Sequence, residues 1–458
     1  MAEKPTFSSV LKNRGFLNLW FNQILVQLSY NSLNFALLFW VFRLTDSNAA
    51  VAGLLVSIYL PAVIFGLFSG VLVDVVDRKK IIIVINFLLC LSFFSLIFLK
   101  GNYFAILIIT FFVNTLGQFY SNAEASAIPI VVKKDQLIKA NSFFSATLYS
   151  CFILGFGLSG PLINQLGIDS VFFLEGSLLT LAFILSFSFP SIKGTVDEQG
   201  KKLILALRKR NYPRIIEIGK NEISHTMKLI RGKLPVLTSI IILAGVQVII
   251  GIIASLAPGF FEKTLRINAT DASYIVVIPL GLGIVIGGMI LGKIGDRLIR
   301  RRLVSRAILF SGLLFFFEGI SPIFSPAIRY FHIHPKPLSF LTQLPLSTVL
   351  IAGSFLLGIA MVSILVPSQT VLQENTPEKD RGKVFATLGV AMGGLSLIPV
   401  LLSGFLADVF GTTPIFIGIG GIIILIGVFG LSPSWFFSKE SLPLHVREFL
   451  GLGHWEKR

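Results

Sequence analysis

Residues 70–80, GVLVDVVDRKK, put an acid and four further charges between two long apolar runs, VAGLLVSIYLPAVIFGLFSG (51–70) and IIIVINFLLCLSFFSLIFL (81–99). A related stretch, GKIGDRLIRRR, stands at 292–302. An apolar run of roughly 20 residues, rising 1.5 Å per residue, covers the ~30 Å hydrocarbon core of a bilayer. The charged stretch therefore reads as a tight hinge at a membrane face, between two spans.

The rest of the chain agrees. Of 458 residues 54% are hydrophobic and 14% charged, and mean hydropathy is +0.83, whereas a soluble domain carries about 25% charged residues. Twelve spans are predicted, at 18–42, 49–72, 81–99, 103–128, 143–165, 171–190, 236–258, 272–292, 304–321, 347–367, 384–407 and 414–436. With the N-terminus inside, the inner segments hold 33 of the 39 Lys and Arg residues, and the outer ones hold Arg43, Lys100, Lys263, Arg266, Arg329 and Lys336. This bias predicts both termini in the cytoplasm and a multi-pass protein of the inner (plasma) membrane. It also accounts for the net charge of +16 through basic loops on anionic lipid rather than nucleic acid. Residues 1–17 lack the short apolar core and cleavage site of a secretory signal. Cys90 and Cys151 fall inside spans, where they act as small hydrophobes.

Residues 191–235, with eleven Lys/Arg against four Asp/Glu, split the spans six and six. This gives four parts: an N-terminal bundle (1–190), a basic cytoplasmic linker (191–235), a C-terminal bundle (236–436) and a cytoplasmic tail (437–458). Within the linker, Ile215, Ile216, Ile223, Met227 and Ile230 recur at helical spacing after Pro213. That pattern fits an amphipathic helix on the inner leaflet, and a charged tether is the other reading. A shift of 222 residues superposes Gly66, Gly70, Asp74 and Arg78 on Gly288, Gly292, Asp296 and Arg300. Further on, AIPIVVKKDQLIKANS (127–142) and VLQENTPEKDRGKVFA (371–386) correspond at an offset of about 244, the difference lying in the longer outer loop after span 9. Two six-helix units repeated in one orientation are the build of parallel-repeat transporters.

In the hinge, Gly66 and Gly70 would let another helix approach closely, and Asp74 lies within reach of Arg78. Two copies of such a pair argue for a gating contact over a stray acid in a basic loop. Here the sequence resembles the major facilitator superfamily, whose loop between helices 2 and 3 carries G-x-L-A-D-R-x-G-R-R. Gly70, Leu72, Asp74, Arg78 and Lys79 match, while Val75 and Asp77 depart. KNRGFLNLWFNQ near the start, the run from Pro129 to Asn141, and TPEKDRGKVFA before span 11 resemble its drug-efflux branch, which includes macrolide exporters. The resemblance implies that Asp74 and Arg78, with Gly70, gate the inner side, and that Asp296, Arg300 and Gly292 form the second copy. The antiporter signature is kept only at Gly160-Pro161, with Ile163-Asn164 in place of its glycines, and span 4 lacks the arginine common in proton-coupled drug antiporters.

The resemblance further implies that spans 1, 4, 7 and 10 line a central cavity. On span 1, Gln23, Gln27, Asn31 and Asn34 fall on one stripe with Tyr30 beside it; span 4 offers Asn114, Gln118, Ser121 and Asn122, and spans 7 and 10 offer Gln247, Ser354 and Met361. Amides in hydrocarbon must pair or face water, so they are either cavity-lining or interhelical glue. Glu124, near the inner end of span 4, is read as the coupling or cation-pairing carboxyl between the interfaces, with a solvated helix end as the alternative. Glu318 is placed at the outer end of span 9, and His332 and His334 lack the acid or Cys partners of a metal site.

These observations predict an all-α membrane protein with twelve helices in two parallel-repeat bundles. No cofactor, metal or nucleotide motif is expected. The function expected is secondary export of a hydrophobic or amphipathic small molecule by a monomer, driven by protons, sodium or the substrate's own gradient. A lipid or lysophospholipid flippase is the alternative, and a membrane enzyme or sensor the remote one.

Overall fold

The computed structural model describes residues 10–133, 136–190, 230, 233–294, 300–331, 346–377 and 381–431. The proposed linker helix apart from Ile230, together with His332, His334, Asp296 and the tail, lies outside them, and the Asp74 side chain is likewise not described. Among the described residues, twelve helices are long and apolar enough to cross a membrane. In chain order they are α1 (Arg14–Thr45), α2 (Asn48–Val75), α3 (Arg78–Leu99), α4 (Tyr103–Val131), α5 (Leu137–Leu166), α6 (Ile168–Ser186), α7 (Leu234–Gly259), α8 (Ile278–Ile294), α9 (Arg300–Phe331), α10 (Leu346–Glu374), α11 (Arg381–Phe410) and α12 (Thr412–Leu431). Most outrun their predicted spans by several residues, because a helix keeps its backbone satisfied past the apolar stretch. α7 continues as a π-helical segment, Phe260–Leu265, and α8 is preceded by another, Ser273–Val277.

Two compact units result. One comprises Met1–Asp46, Gly53–His225 and Gly389–Leu397; the other comprises Ser47–Ala52, Thr226–Leu388 and Ile398–Arg458. In the first, α1 packs on α5 and α6, and α3 on α4 and α6. In the second, α9 packs on α12 and α10, and α8 on α10. The α9–α12 seam is built on small residues: an added Cβ at Gly420 would lie 2.7 Å from Phe316 N, and one at Gly427 2.6 Å from Leu309 Cα. Close backbone approach is how helices associate where lipid removes the hydrophobic drive. The outward faces carry Phe98, 85% exposed, and Ile398, 75% exposed, as lipid contact requires.

The internal repeat reappears in bonding. Ser32 on α1 bonds Ser159 on α5 at 2.7 Å, and Ser255 on α7 bonds Ser403 on α11 at 3.4 Å. The members correspond at offsets of 223 and 244 residues, close to the registers of the sequence repeat. Gly167 (φ 80°) joins α5 to α6 and Gly411 (φ 85°) joins α11 to α12, again 244 apart and in the left-handed region that glycine adopts without a Cβ penalty.

Charge at the helix ends is organised by caps. Asp77, a departure from the family pattern, is the N-cap of α3, accepting from Lys79 N at 3.0 Å. At the start of α2, Ser47 Oγ accepts from Ala50 N (3.1 Å). Asp408 of α11 accepts from Ser47 Oγ (2.6 Å), Asn48 N (2.7 Å), Asn48 Nδ2 (2.9 Å) and Ala49 N (3.0 Å). The first free N–H groups of α2 are thereby satisfied, with a carboxylate on the positive helix end. This contact explains why Ser47–Ala52 belongs with the second unit.

Candidate transport site

Span 1 carries polar residues on two faces of α1. On the predicted stripe, Gln23 is 2% exposed and donates to Phe144 O of α5 (3.3 Å). The Tyr30 hydroxyl donates to Asn114 Oδ1 of α4, and Asn114 Nδ2 donates to Thr110 O on its own helix (2.8 Å). Asn31 Nδ2 donates to Gln27 O (2.7 Å), also within one helix. The side chains of Gln27, Asn34 and Gln118 are half-buried and make no hydrogen bond among the described residues. Gln23 and Asn114 therefore hold helices together, whereas Gln27, Asn34 and Gln118 keep unspent amides. In the second unit Gln247 is half-buried and Ser354 buried.

The other face of α1 was not anticipated. Asn22, fully buried, donates to Ala182 O of α6 (2.7 Å), and its Oδ1 accepts from Tyr120 Oη of α4 (2.9 Å) and Asn86 Nδ2 of α3 (3.3 Å). Tyr120 Oη also lies 3.0 Å from Glu124 Oε1. Glu124 is 5% exposed, so it is a buried carboxyl in a polar cluster and not a solvated helix end. Glu175 is a second buried acid within a span: it is 2% exposed, seven residues into α6, with Ser29 Oγ of α1 donating to its backbone oxygen at 3.3 Å. The signal was present, since an acid in an apolar span marks a site by default. Glu318 faces Gly353 of α10 and keeps a buried Oε1 without a partner among the described residues.

At the hinge, Arg78 is 5% exposed, and its Nε donates to Ser126 Oγ near the end of α4 (3.1 Å). Lys79 Nζ donates to Phe187 O (2.8 Å) and Phe189 O (2.6 Å) after α6. In the second copy, Arg300 forms a two-pronged pair with Glu374 at the end of α10 (2.6 and 3.1 Å). Each arginine thus ties the start of the third or ninth helix to the end of the fourth or tenth. Among the described residues, a Cβ at Gly70 or Gly292 would meet nothing within 4 Å, and one at Gly66 would make an ordinary 3.6 Å contact with Val390 of α11. Among the described residues no group of three His, Cys, Asp or Glu converges as a metal site would.

The model of the Major Facilitator Superfamily matches residues 19–332 and 337–451. The chain belongs to that superfamily. Its relatives include macrolide efflux protein A of Streptococcus pyogenes, 22% identical over 430 residues, with 90% of this chain and 94% of the relative covered. A second is the multidrug resistance protein MdtG of Salmonella arizonae, 26% identical over 340 residues, 73% of each chain. Among solved structures, a POT family transporter in complex with 5-aminolevulinic acid superposes with a TM-score of 0.68 at 13% identity, over 93% of this chain and 97% of that one. The nucleoside transporter NupG does so at 0.66 and 11% identity, over 92% and 98%. As a superfamily member, this protein is a multi-pass membrane transporter and not an enzyme.

Proposed function

We propose that this transporter exports a hydrophobic or amphipathic, weakly cationic small molecule by alternating access, in exchange for protons carried by Glu124. The observation that carries the reading is the set of unspent, half-buried amides of Gln27, Asn34 and Gln118. They supply hydrogen bonds without fixed charge, which suits a bulky neutral or weakly basic compound more than a phosphate or sugar acid, whose charge would call for Arg or Lys beside them. Full-length similarity to a macrolide efflux protein supports the same substrate class. The positive-inside bias supports a plasma-membrane placement with both termini in the cytoplasm.

The test is accumulation of a panel of macrolides, cationic dyes and fluorescent lysolipids in cells expressing the protein, with and without a protonophore. Lower accumulation of a macrolide or dye, restored by the protonophore, is expected. Movement of lysolipid alone would replace export by a flippase reading. In liposomes, Glu124→Gln is expected to abolish uphill export while permitting downhill movement of the same compound; a Gln variant that still concentrates substrate removes Glu124 from coupling.

A further inference from the structure

We infer that Glu124, Tyr120 and Asn22 form a one-hydrogen relay through which α1 reads whether Glu124 carries a proton. The inference rests on the coupling role proposed above and names the residues that transmit it. Tyr120 Oη has one hydrogen but lies between two oxygens, Asn22 Oδ1 at 2.9 Å and Glu124 Oε1 at 3.0 Å. If Glu124 is ionised, both neighbours are acceptors, and one contact must set lone pair against lone pair. Turning the Asn22 amide over does not help. It would point Oδ1 at Ala182 O, now bonded by Nδ2 at 2.7 Å, and Nδ2 at the Asn86 donor. One arrangement makes every contact attractive: Glu124 is protonated and donates to Tyr120 Oη, Tyr120 donates to Asn22 Oδ1, and Asn22 donates to Ala182 O.

Loss of the proton breaks the O–H bond at Glu124 heterolytically, the proton passing to solvent water and the electron pair staying on the carboxylate. The Tyr120 hydrogen then turns to the stronger, charged acceptor, and Asn22 Oδ1 loses the shorter of its two donors. Asn22 sits on α1 five residues before Gln27, so the proton's departure loosens the helix that carries the unspent amides. Among the described residues, the polar groups that bond to this stretch of α4, or to Asn22, from other helices are these. Asn22 of α1 and Asn86 of α3 are uncharged, Ser69 of α2 accepts from Asn122 at 2.7 Å, and Arg78 of α3 is turned to Ser126. On α6 the acid is Glu175, two turns from Ala182. Tyr120 and Asn22 are positioning residues here, and Glu124 holds the proton.

The test is pH-difference infrared spectroscopy of the purified full-length protein in lipid nanodiscs, without substrate. The wild type is expected to show a protonated-carboxyl C=O band that disappears in Glu124→Gln. Tyr120→Phe should move that band to higher frequency, as a carboxyl does when its hydrogen-bond partner is removed. Asn22→Ala should also move it, although Asn22 does not touch Glu124, because Tyr120 then has only the carboxyl to turn to. A wild type without a Glu124 band, or a band that stays in place in Tyr120→Phe or in Asn22→Ala, overturns the relay. The measurement needs no transported compound. A protein that exports none of the panel yet shows the coupled shifts defeats the export reading alone, and export with an unmoved band defeats the relay alone.

Discussion

Single side chains on α1 and α4 divide by what their amides already bond. Gln23 is buried and its Nε2 is bonded across helices to Phe144 O, so Gln23→Ala should cost roughly 0.6 to 1.7 kcal/mol, the range of interhelical hydrogen bonds in membranes. It should lower the unfolding temperature of the purified protein with little change in half-saturating substrate concentration. Gln27→Ala and Asn34→Ala should do the reverse, raising that concentration several-fold at unchanged unfolding temperature; loss of thermal stability at unchanged affinity would make these residues glue. The sequence showed the stripe because amides at helical spacing in an apolar span are conspicuous, but it could not separate the two kinds. That distinction depends on the carbonyl each amide meets on another helix. Asn22 and Asn86 are not legible in the sequence for the same reason, since their relation exists only once α1, α3 and α6 are packed.

At the scale of helices, the spans and most turn points were legible, because hydropathy and length decide a membrane helix almost alone. Caps were less so. Asp77 looked like a departure from a family pattern and proved to be the N-cap of α3. Asp408 carries no signal in the sequence, since its partners Ser47, Asn48 and Ala49 lie about 360 residues away. A carboxylate that accepts four hydrogen bonds at a helix start contributes more than an ordinary cap, whose loss costs about 1 kcal/mol. Asp408→Ala should therefore lower thermal stability clearly more than Asp77→Ala, and Ser47→Ala should fall between wild type and Asp408→Ala. Equal, small effects of all three substitutions would show that the contact at the start of α2 adds nothing to ordinary capping.

For the molecule as a whole, the repeat places the same arginine in two environments, and this separates gating from anchoring. Arg78 is buried against Ser126, while the Arg300 and Glu374 side chains are 47% and 53% exposed. An exposed pair contributes about 0 to 1 kcal/mol and weakens with salt, so Arg300→Gln should leave both abundance and transport near wild type. Removing a buried, bonded guanidinium takes away the tie between the start of α3 and Ser126 of α4, so Arg78→Gln should lower thermal stability and transport together. Asp74→Asn is the informative companion. If Asp74 gates through Arg78, the substitution should cut the transport rate about tenfold or more while abundance and unfolding temperature stay near normal, and Asp296→Asn, whose copy lacks the leading leucine, should cut it less. Transport assays on membranes matched for protein content decide the matter: near-wild-type rates in both aspartate variants would leave the hinge as an anchor for α3 and α4 and return the gate to other residues.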